Sequence, residues 1–222
     1  MGIECESPHC PTVNGSVPVR GTVVPSPSGS AVRITSDDAG SVMAAAGVFK
    51  DARGGNLDLI LTPTGAAGEY IGRAKIGTIR VKNASVLAEL LSAISVVGLL
   101  EKLNGSGLVF SQADVDFRLT PAAVEVTRGS AIGASLGVSM AGIYRSETKA
   151  LAMQGVISPI YLLNGIGSFL TRKGEGFFGF NYKIRGTTDA PKISVNPLSI
   201  LTPGMFRDLF RKPAPVLPEA TE

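Results

Sequence analysis

Alternation of apolar and polar residues predicts that most of this chain is β-strand. The clearest run covers residues 178–185, where the even-numbered positions are apolar and the odd-numbered ones are glycine or polar. A period of two places all the apolar side chains of a strand on one face. Further strands are predicted at 17–24, 31–34, 56–62, 70–81, 113–119, 124–127, 132–140, 150–157 and 192–195, and most of these runs show the same period.

Helical spacing of apolar residues predicts amphipathic helices at 84–103, 159–170 and 198–210, and a shorter helix at Gly40–Val48. Asp37 or Ser36 is expected to cap the short helix by accepting hydrogen bonds from its free amides. The window 84–103 is the most hydrophobic in the chain, but it carries Glu89 and several serines. We therefore interpret it as a buried or surface helix and not as a membrane span.

These elements predict a mainly β fold of antiparallel strands joined by short turns and interrupted by a few helices. Nearly every strand has one apolar face, which favours a curved or solenoid-like antiparallel sheet, although a closed barrel or a sandwich gives a similar pattern. We divide the chain into a flexible or edge-strand segment at 1–30, a main sheet domain at 31–212 and a disordered proline-rich tail at 213–222.

Composition adds that this protein is unusually apolar. It is 44% hydrophobic and 18% charged with a mean hydropathy of +0.26, against a usual charged content of about 25%. The excess apolar residues either fill an ordinary sheet core or form an exposed apolar surface, which in soluble proteins usually marks a binding site.

Charge and motif content argue against nucleic-acid binding and against catalysis. The net charge of +3 is spread along the chain, with no basic stripe that carries interleaved aromatics. We find none of the usual nucleophile, phosphate-loop or zinc-protease motifs, so we expect neither an enzyme nor a cofactor. Cys5, His9 and Cys10 are too few for a closed metal site by themselves; the two cysteines either form a disulfide in an oxidising compartment or remain free thiols.

Several segments, in this order, resemble the C-terminal region of the AsmA-like family, which includes YhdP- and TamB-related proteins of Gram-negative bacteria. The version found here is most similar to alphaproteobacterial members. The segments that carry the resemblance are Ser36–Gly40 (SDDAG), Arg53–Gly55 (RGG), Ile132–Gly137 (IGASLG), Gly155–Asn164 (GVISPIYLLN), Gly174–Gly179 (GEGFFG) and Val195–Gly204 (VNPLSILTPG).

The resemblance implies an envelope protein that carries phospholipid between the inner and outer membranes along an apolar β-groove. Such proteins are anchored in the inner membrane by an N-terminal helix and cross the periplasm, and they support outer-membrane integrity. Met1–Pro8 has no basic start and no apolar run, so no export signal is readable in this chain. Members of this family are usually much longer and begin with a membrane helix, so we expect this chain to be the C-terminal piece of such a protein or a truncated reading frame.

The alternation phase assigns residues to the expected groove, whose partners would be phospholipid acyl chains. The predicted lining residues are Val115, Phe117, Leu119, Leu136, Val138, Met140, Phe178, Phe180, Tyr182 and Ile184. A membrane surface or an envelope partner protein is expected to meet the apolar side of the last helix, at Leu201, Met205, Phe206, Leu209 and Phe210. The alternative is a non-catalytic scaffold, in which the helices of the protein itself cover the apolar face.

Overall fold

The structure is a computed structural model that describes residues 12–13, 17–45, 50–159 and 179–196. Fifteen strands and three helices make up this part of the chain. The first strands and helix are β1 (Thr12–Val13), β2 (Val17–Pro18), β3 (Arg20–Ser26), β4 (Gly29–Ser36), α1 (Ala39–Ala45), β5 (Ala52–Arg53), β6 (Leu57–Pro63), β7 (Tyr70–Ile76) and β8 (Ile79–Val81). The remaining elements are α2 (Ser85–Ala93), α3 (Val97–Asn104), β9 (Leu108–Phe110), β10 (Gln112–Leu119), β11 (Ala123–Ile132), β12 (Leu136–Arg145), β13 (Ala150–Pro159), β14 (Phe180–Thr187) and β15 (Pro191–Asn196).

Ten of these strands form one curved antiparallel sheet that does not close into a barrel. Their order is β15-β14-β13-β12-β11-β10-β7-β6-β4-β3, so most neighbours in the sheet are also neighbours in sequence. β1 and β2 form a separate two-stranded sheet, and β5, β8 and β9 form a three-stranded one. The predicted mainly β fold with a curved antiparallel sheet is confirmed, and the barrel alternative is wrong.

The three-stranded sheet continues three strands of the large sheet after a bend. Its order, β5-β8-β9, repeats the order of β6, β7 and β10, to which these strands are joined in the chain. The breaks fall at Gly54–Gly55, Gly77–Thr78 and Ser111. Gly54 and Gly55 have φ angles of 69° and 82°, which glycine adopts without steric cost. The predicted strand at 70–81 is therefore two strands with a bend between them.

Helices α2 and α3 are inserted between β8 and β9, and they correct the prediction of one helix at 84–103. The chain is interrupted at Ile94–Val96, where Ser95 has a φ of 57°. A left-handed residue cannot continue a right-handed helix. Val81 and Leu108, at the two ends of the insertion, are register partners in the small sheet, so the chain leaves and re-enters that sheet at one point.

The segment at 132–140 corrects a second prediction, because it is a turn between two strands and not one strand. β11 ends at Ile132 and β12 begins at Leu136, and the N–H of Gly133 donates to the carbonyl oxygen of Leu136 at 2.8 Å. The small residues Gly133–Ser135 carry little information about which face they occupy. They therefore extended the apparent alternation through the turn.

The cap of the first helix is Asp38, and not Asp37 or Ser36 as expected. The N–H of Ser41 donates to Asp38 Oδ1 at 3.0 Å, and the N–H of Gly54 donates to the same oxygen at 3.1 Å. Asp38 therefore caps α1 and also holds this helix against the loop between β5 and β6. Helix α1 spans Ala39–Ala45 where Gly40–Val48 was predicted, and residues 46–49 lie outside the described residues.

The large sheet ends at β3 on one side and at β15 on the other. It thus begins at Arg20, ahead of the boundary drawn at residue 30 from composition. Pro159, where a helix at 159–170 was expected to begin, is the last residue of β13, and the rest of that predicted helix lies outside the described residues. The same is true of the predicted helix at 198–210, the domain end at 212 and the tail at 213–222. Within the described ranges, no helix is long and apolar enough to cross a membrane.

Candidate functional site: the apolar face of the large sheet

The register of the large sheet aligns apolar residues into continuous rows across the strands. Paired residues on adjacent antiparallel strands project to the same side of a sheet. One row crosses all ten strands and contains Val23, Val32, Leu61, Gly72, Phe117, Val126, Gly142, Met153, Ile184 and Ile193. The adjacent row on the same face contains Gly21, Ile34, Leu59, Ala74, Val115, Gly129, Met140, Gly155, Tyr182 and Val195.

We call the side of the sheet that carries these two rows the apolar face. At ~4.8 Å per strand, a row across ten strands is about 43 Å long. Neither row contains a charged residue, and Tyr182 supplies the only hydroxyl. The apolar face is therefore an uninterrupted apolar strip that runs across the strands.

The opposite side of the sheet, the polar face, carries every charged residue of the ten strands. These are Arg20, Arg33, Asp58, Arg73, Lys75, Asp114, Asp116, Arg118, Glu125, Arg128, Arg145, Lys183, Arg185 and Lys192. Charged side chains are costly to bury without partners, so these residues favour contact with water on this side of the sheet. The same side also carries buried residues, among them Ala123, Ile143 and Val156, so the two faces differ in charge along the whole sheet but not everywhere in exposure.

Ion pairs on the polar face hold their carboxyl groups in the ionised form. Asp116 accepts hydrogen bonds from Arg73 at 2.7 Å and from Arg128 at 2.7 Å. The bond from Arg73, assisted by Arg128, lowers the pKa of Asp116 although partial burial opposes the shift. Arg33 likewise lowers the pKa of Asp58 through a two-pronged contact at 2.8 and 2.9 Å.

The nine predicted lining residues that the structure describes all lie on the apolar face. Val115, Met140 and Tyr182 belong to one central row, and Phe117 and Ile184 belong to the other. The remaining four lie in the flanking rows of the same face: Leu119, Leu136, Val138 and Phe180. Phe178 and the predicted helix residues Leu201, Met205, Phe206, Leu209 and Phe210 lie outside the described residues.

Helices divide this face into two parts, of which one is a packed core. Leu136, Val138, Tyr182 and Ile184 are buried in one cluster, and Phe180 packs against it. The helices contribute Leu90, Leu91 and Leu103 to the same cluster. We call this region the covered part. These five predicted lining residues therefore pack in the core of the protein together with its helices.

The other predicted residues lie in an open part of the apolar face, outside that core cluster. Val115, Phe117 and Leu119 are half-buried, and Met140 is 37% exposed. Exposed apolar surface of this kind is where a ligand can gain contacts that the protein does not already make. Sequence analysis did not assign further residues that line this part to the site, although all lie in strands: Val32, Leu61, Val124 and Tyr144.

Glycines on the apolar face make room for large side chains from the next strand. An ideal Cβ on Gly72 would lie 2.2 Å from Phe117 Cζ, and one on Gly129 would lie 2.7 Å from Met140 Cγ. Phe117 and Met140 therefore lie over the neighbouring strand instead of standing away from the sheet. Sequence analysis missed these glycines, because a missing side chain gives no signal of alternation.

The open part is lined mainly by apolar side chains. Among the described residues, no group of three or more histidine, cysteine or acidic side chains could hold a metal ion. The central rows offer no titratable group other than Tyr182, which lies in the covered part. The open part can therefore bind a ligand by burying its apolar surface, with the phenol of Tyr144 as a polar group at its side.

Comparison of the chain with protein-family models, with curated proteins and with solved structures found no significant match.

Proposed function

We propose that this chain binds phospholipid acyl chains on the open part of its apolar face, as one section of a lipid conduit in a bacterial envelope. The observation that carries the proposal is the uncharged central rows that cross all ten strands. A ligand held there needs a long, flexible, apolar body, and an acyl chain has that shape. The proposal includes the AsmA-like function that the sequence resemblance implies, with phospholipid moving between the inner and outer membranes.

The energetics of such binding depend on methylene groups. Burial of each methylene contributes about 0.8 kcal/mol, so contact with a few groups at a time is enough to retain a chain. One row presents Val32, Leu61, Gly72 and Phe117 on successive strands, and the ring of Phe117 fills the space above Gly72. A lipid moving along the row would exchange one apolar contact for another, with no deep trap between them.

The difference between the two faces of the sheet supports lipid binding on the apolar face. The Arg–Asp pairs of the polar face are partly exposed to water, while the named lining residues of the open part are apolar apart from the hydroxyl of Tyr144. Sliding along this strip needs no chemical step, so conduction would be passive and its direction would come from other components of the envelope.

A second candidate function is a non-catalytic scaffold, and the covered part of the apolar face favours it. Leu136, Val138, Tyr182 and Ile184 are already buried in the core cluster to which helices α2 and α3 contribute. In a scaffold, the apolar face would serve only to hold the fold together or to meet a partner protein. The two candidates differ in what contacts Met140 in the cell.

Site-specific photo-crosslinking tests the proposal. A diazirine amino acid would be placed at Met140 on the apolar face and, separately, at Ile71 on the polar face. Ile71 is a matched control because it is also a large apolar residue on a strand and is 52% exposed. We expect phospholipid adducts, detected by mass spectrometry after crosslinking in a Gram-negative envelope, at Met140 and not at Ile71.

Other outcomes reject the proposal. Equal lipid adducts at both positions would mean unspecific contact with membrane lipid. Protein adducts alone at Met140 would favour the scaffold. A probe at Phe180, which packs against the core cluster, compares the covered part of the apolar face with the open part. We expect this probe to crosslink to other residues of the protein and not to lipid.

A further inference from the structure

Cations on the polar face are neutralised in one half of the sheet. Arg33 contacts Asp58 at 2.8 Å, and Arg73 and Arg128 both contact Asp116 at 2.7 Å. Arg118 contacts Glu69 at 2.9 Å. From β4 to β11, the arginines of the polar face are therefore paired with acids, and little charge remains to attract a ligand.

The β14–β15 hairpin has the opposite character. Its polar face carries Lys183, Arg185 and Lys192, and neither strand contains an acidic residue. Arg185 and Lys192 are direct register partners, an arrangement of like charges that destabilises a sheet. In the part of the chain that the structure describes, none of the three cations has an acid within ion-pair distance. We call these three residues the basic patch.

The basic patch lies at one edge of the sheet, back to back with the apolar face. Arg185 and Lys192 are exposed and flank the turn between β14 and β15. On the other side of the same two strands lie Ile184 and Ile193, which end the central row. The two strands of the hairpin are thus cationic on one side and apolar on the other, and Asp189 in the turn between them pairs with Lys149 at 3.4 Å.

We propose that the basic patch binds the surface of an anionic lipid bilayer and so docks the protein to the membrane through this edge of the sheet, on the side opposite the covered part of the apolar face. This inference rests on the function proposed above. The argument is charge complementarity, because a plane of phosphate groups supplies the negative charge that the like-charged pair lacks. A bilayer fits better than a nucleic acid, because the three cations have no aromatic side chain among them on which bases could stack.

Vesicle co-sedimentation of the whole chain tests this inference. The probe is phosphatidylcholine vesicles prepared with and without phosphatidylglycerol. Each basic residue close to an anionic surface contributes about fivefold to the partition. We therefore expect Arg185→Ser with Lys192→Ser to lower binding to the anionic vesicles at least about tenfold, and added salt to weaken binding of the unchanged protein.

The matched control is Arg20→Ser with Lys75→Ser. Both residues are exposed cations on the polar face, in the other half of the sheet, and their removal changes the net charge by the same amount. We expect this variant to bind nearly as well as the unchanged protein. Thermal unfolding of both variants identifies any loss of binding that comes from unfolding.

Two results would overturn the inference: an equal loss of binding in the two double variants, or binding that does not depend on phosphatidylglycerol. Either result leaves the acyl-chain proposal to be decided separately by the adducts at Met140. Conversely, anionic vesicle binding through the basic patch without lipid adducts at Met140 would support membrane docking and reject the conduit.

Discussion

Tyr182 donates its hydroxyl hydrogen to the backbone carbonyl oxygen of Ser139, 2.8 Å away and two strands across the sheet. Between them lies Gly155 of β13, and an ideal Cβ there would be 2.9 Å from Tyr182 Oη. The phenol therefore lies along the sheet, and its polar end is satisfied within the covered part. This contact joins β14 to β12 in addition to the ladder of β13.

Tyr182→Phe removes this hydrogen bond and leaves the shape of the ring. We expect the free energy of unfolding to fall by about 1 kcal/mol, because a buried hydrogen bond contributes about that much. Tyr144→Phe is the control, since Tyr144 lies on the same face and its hydroxyl makes no hydrogen bond in the described part of the protein. Urea unfolding of both variants measures the difference, and equal losses would contradict a specific role for the Tyr182 hydroxyl.

Gly155→Ala should destabilise the protein strongly, since the new Cβ would lie 1.9 Å from the carbonyl oxygen of Ser139. That oxygen belongs to the backbone and moves only with its strand, so we expect a loss of about 1–3 kcal/mol. Gly21 is in the same row, with nothing within 4 Å of its Cβ position. Gly21→Ala should leave the urea midpoint nearly unchanged, and a comparable loss in both variants would refute the steric explanation.

Gly72 and Phe117 should be energetically coupled. Gly72→Ala forces the Phe117 ring away from its position over β7, because the Cβ would lie 2.2 Å from the ring. We expect a destabilisation of about 1–3 kcal/mol that largely disappears when Phe117 is already alanine. A double-mutant cycle in urea measures the coupling. If the two single losses add in the double variant, the ring does not occupy the space above Gly72.

Removal of the Asp116 carboxylate should change the response of the protein to acid. Because the pKa of Asp116 is lower in the folded protein than its ordinary value of 3.8, the carboxylate stabilises the fold above that pH. This contribution is lost as the pH falls through the lowered pKa. We expect Asp116→Asn to cost about 1 kcal/mol at neutral pH, the usual size for exposed ion pairs.

Stability measured against pH checks this expectation. The difference between the unchanged protein and Asp116→Asn should shrink below about pH 4. Glu147→Gln, in the exposed turn after β12, removes one acid outside any ion pair of the described residues and serves as the control. A difference that stays constant into acid would show that the Arg73 and Arg128 contacts do not depend on the charge of Asp116.

The two adjacent acids before α1 should differ in their contribution to stability. Asp38 accepts hydrogen bonds from Ser41 and Gly54, while Asp37 is exposed. Loss of a helix cap costs about 0.5–2 kcal/mol, so we expect Asp38→Ala to lower the melting temperature clearly and Asp37→Ala to leave it nearly unchanged. Equal losses in the two variants would show that Asp38 does not cap α1.

Sequence analysis predicted the phase of the strands well, because a period of two fixes which residues share a face. It placed Val115 and Met140 on the same face without knowing that they share a row. It could not predict that β7 pairs with β10, since alternation gives no information about partners separated by an inserted segment. It also could not distinguish the covered from the open part, because burial of Tyr182 depends on helices that pack from elsewhere in the chain.

Local backbone conformation explains the wrong element boundaries. Ser95 interrupts the predicted long helix because its backbone is left-handed, a conformation that a serine in the sequence does not predict. Gly133–Ser135 form a turn whose residues are too small to interrupt the alternation. In both places the element ends because of a backbone angle or because the side chains are very small. The pattern of apolar residues contains no information about either property.

The insertion of α2 and α3 between paired strands has a consequence for how such a protein can diversify. Because Val81 and Leu108 are register partners, a short hairpin turn between them would leave the rest of the sheet in its present register. The helical insertion can therefore change in length during evolution without altering the strand register, provided that Leu90, Leu91 and Leu103 still fill the core cluster. The extent of the covered part then depends on the insertion, while the ten-stranded frame stays the same.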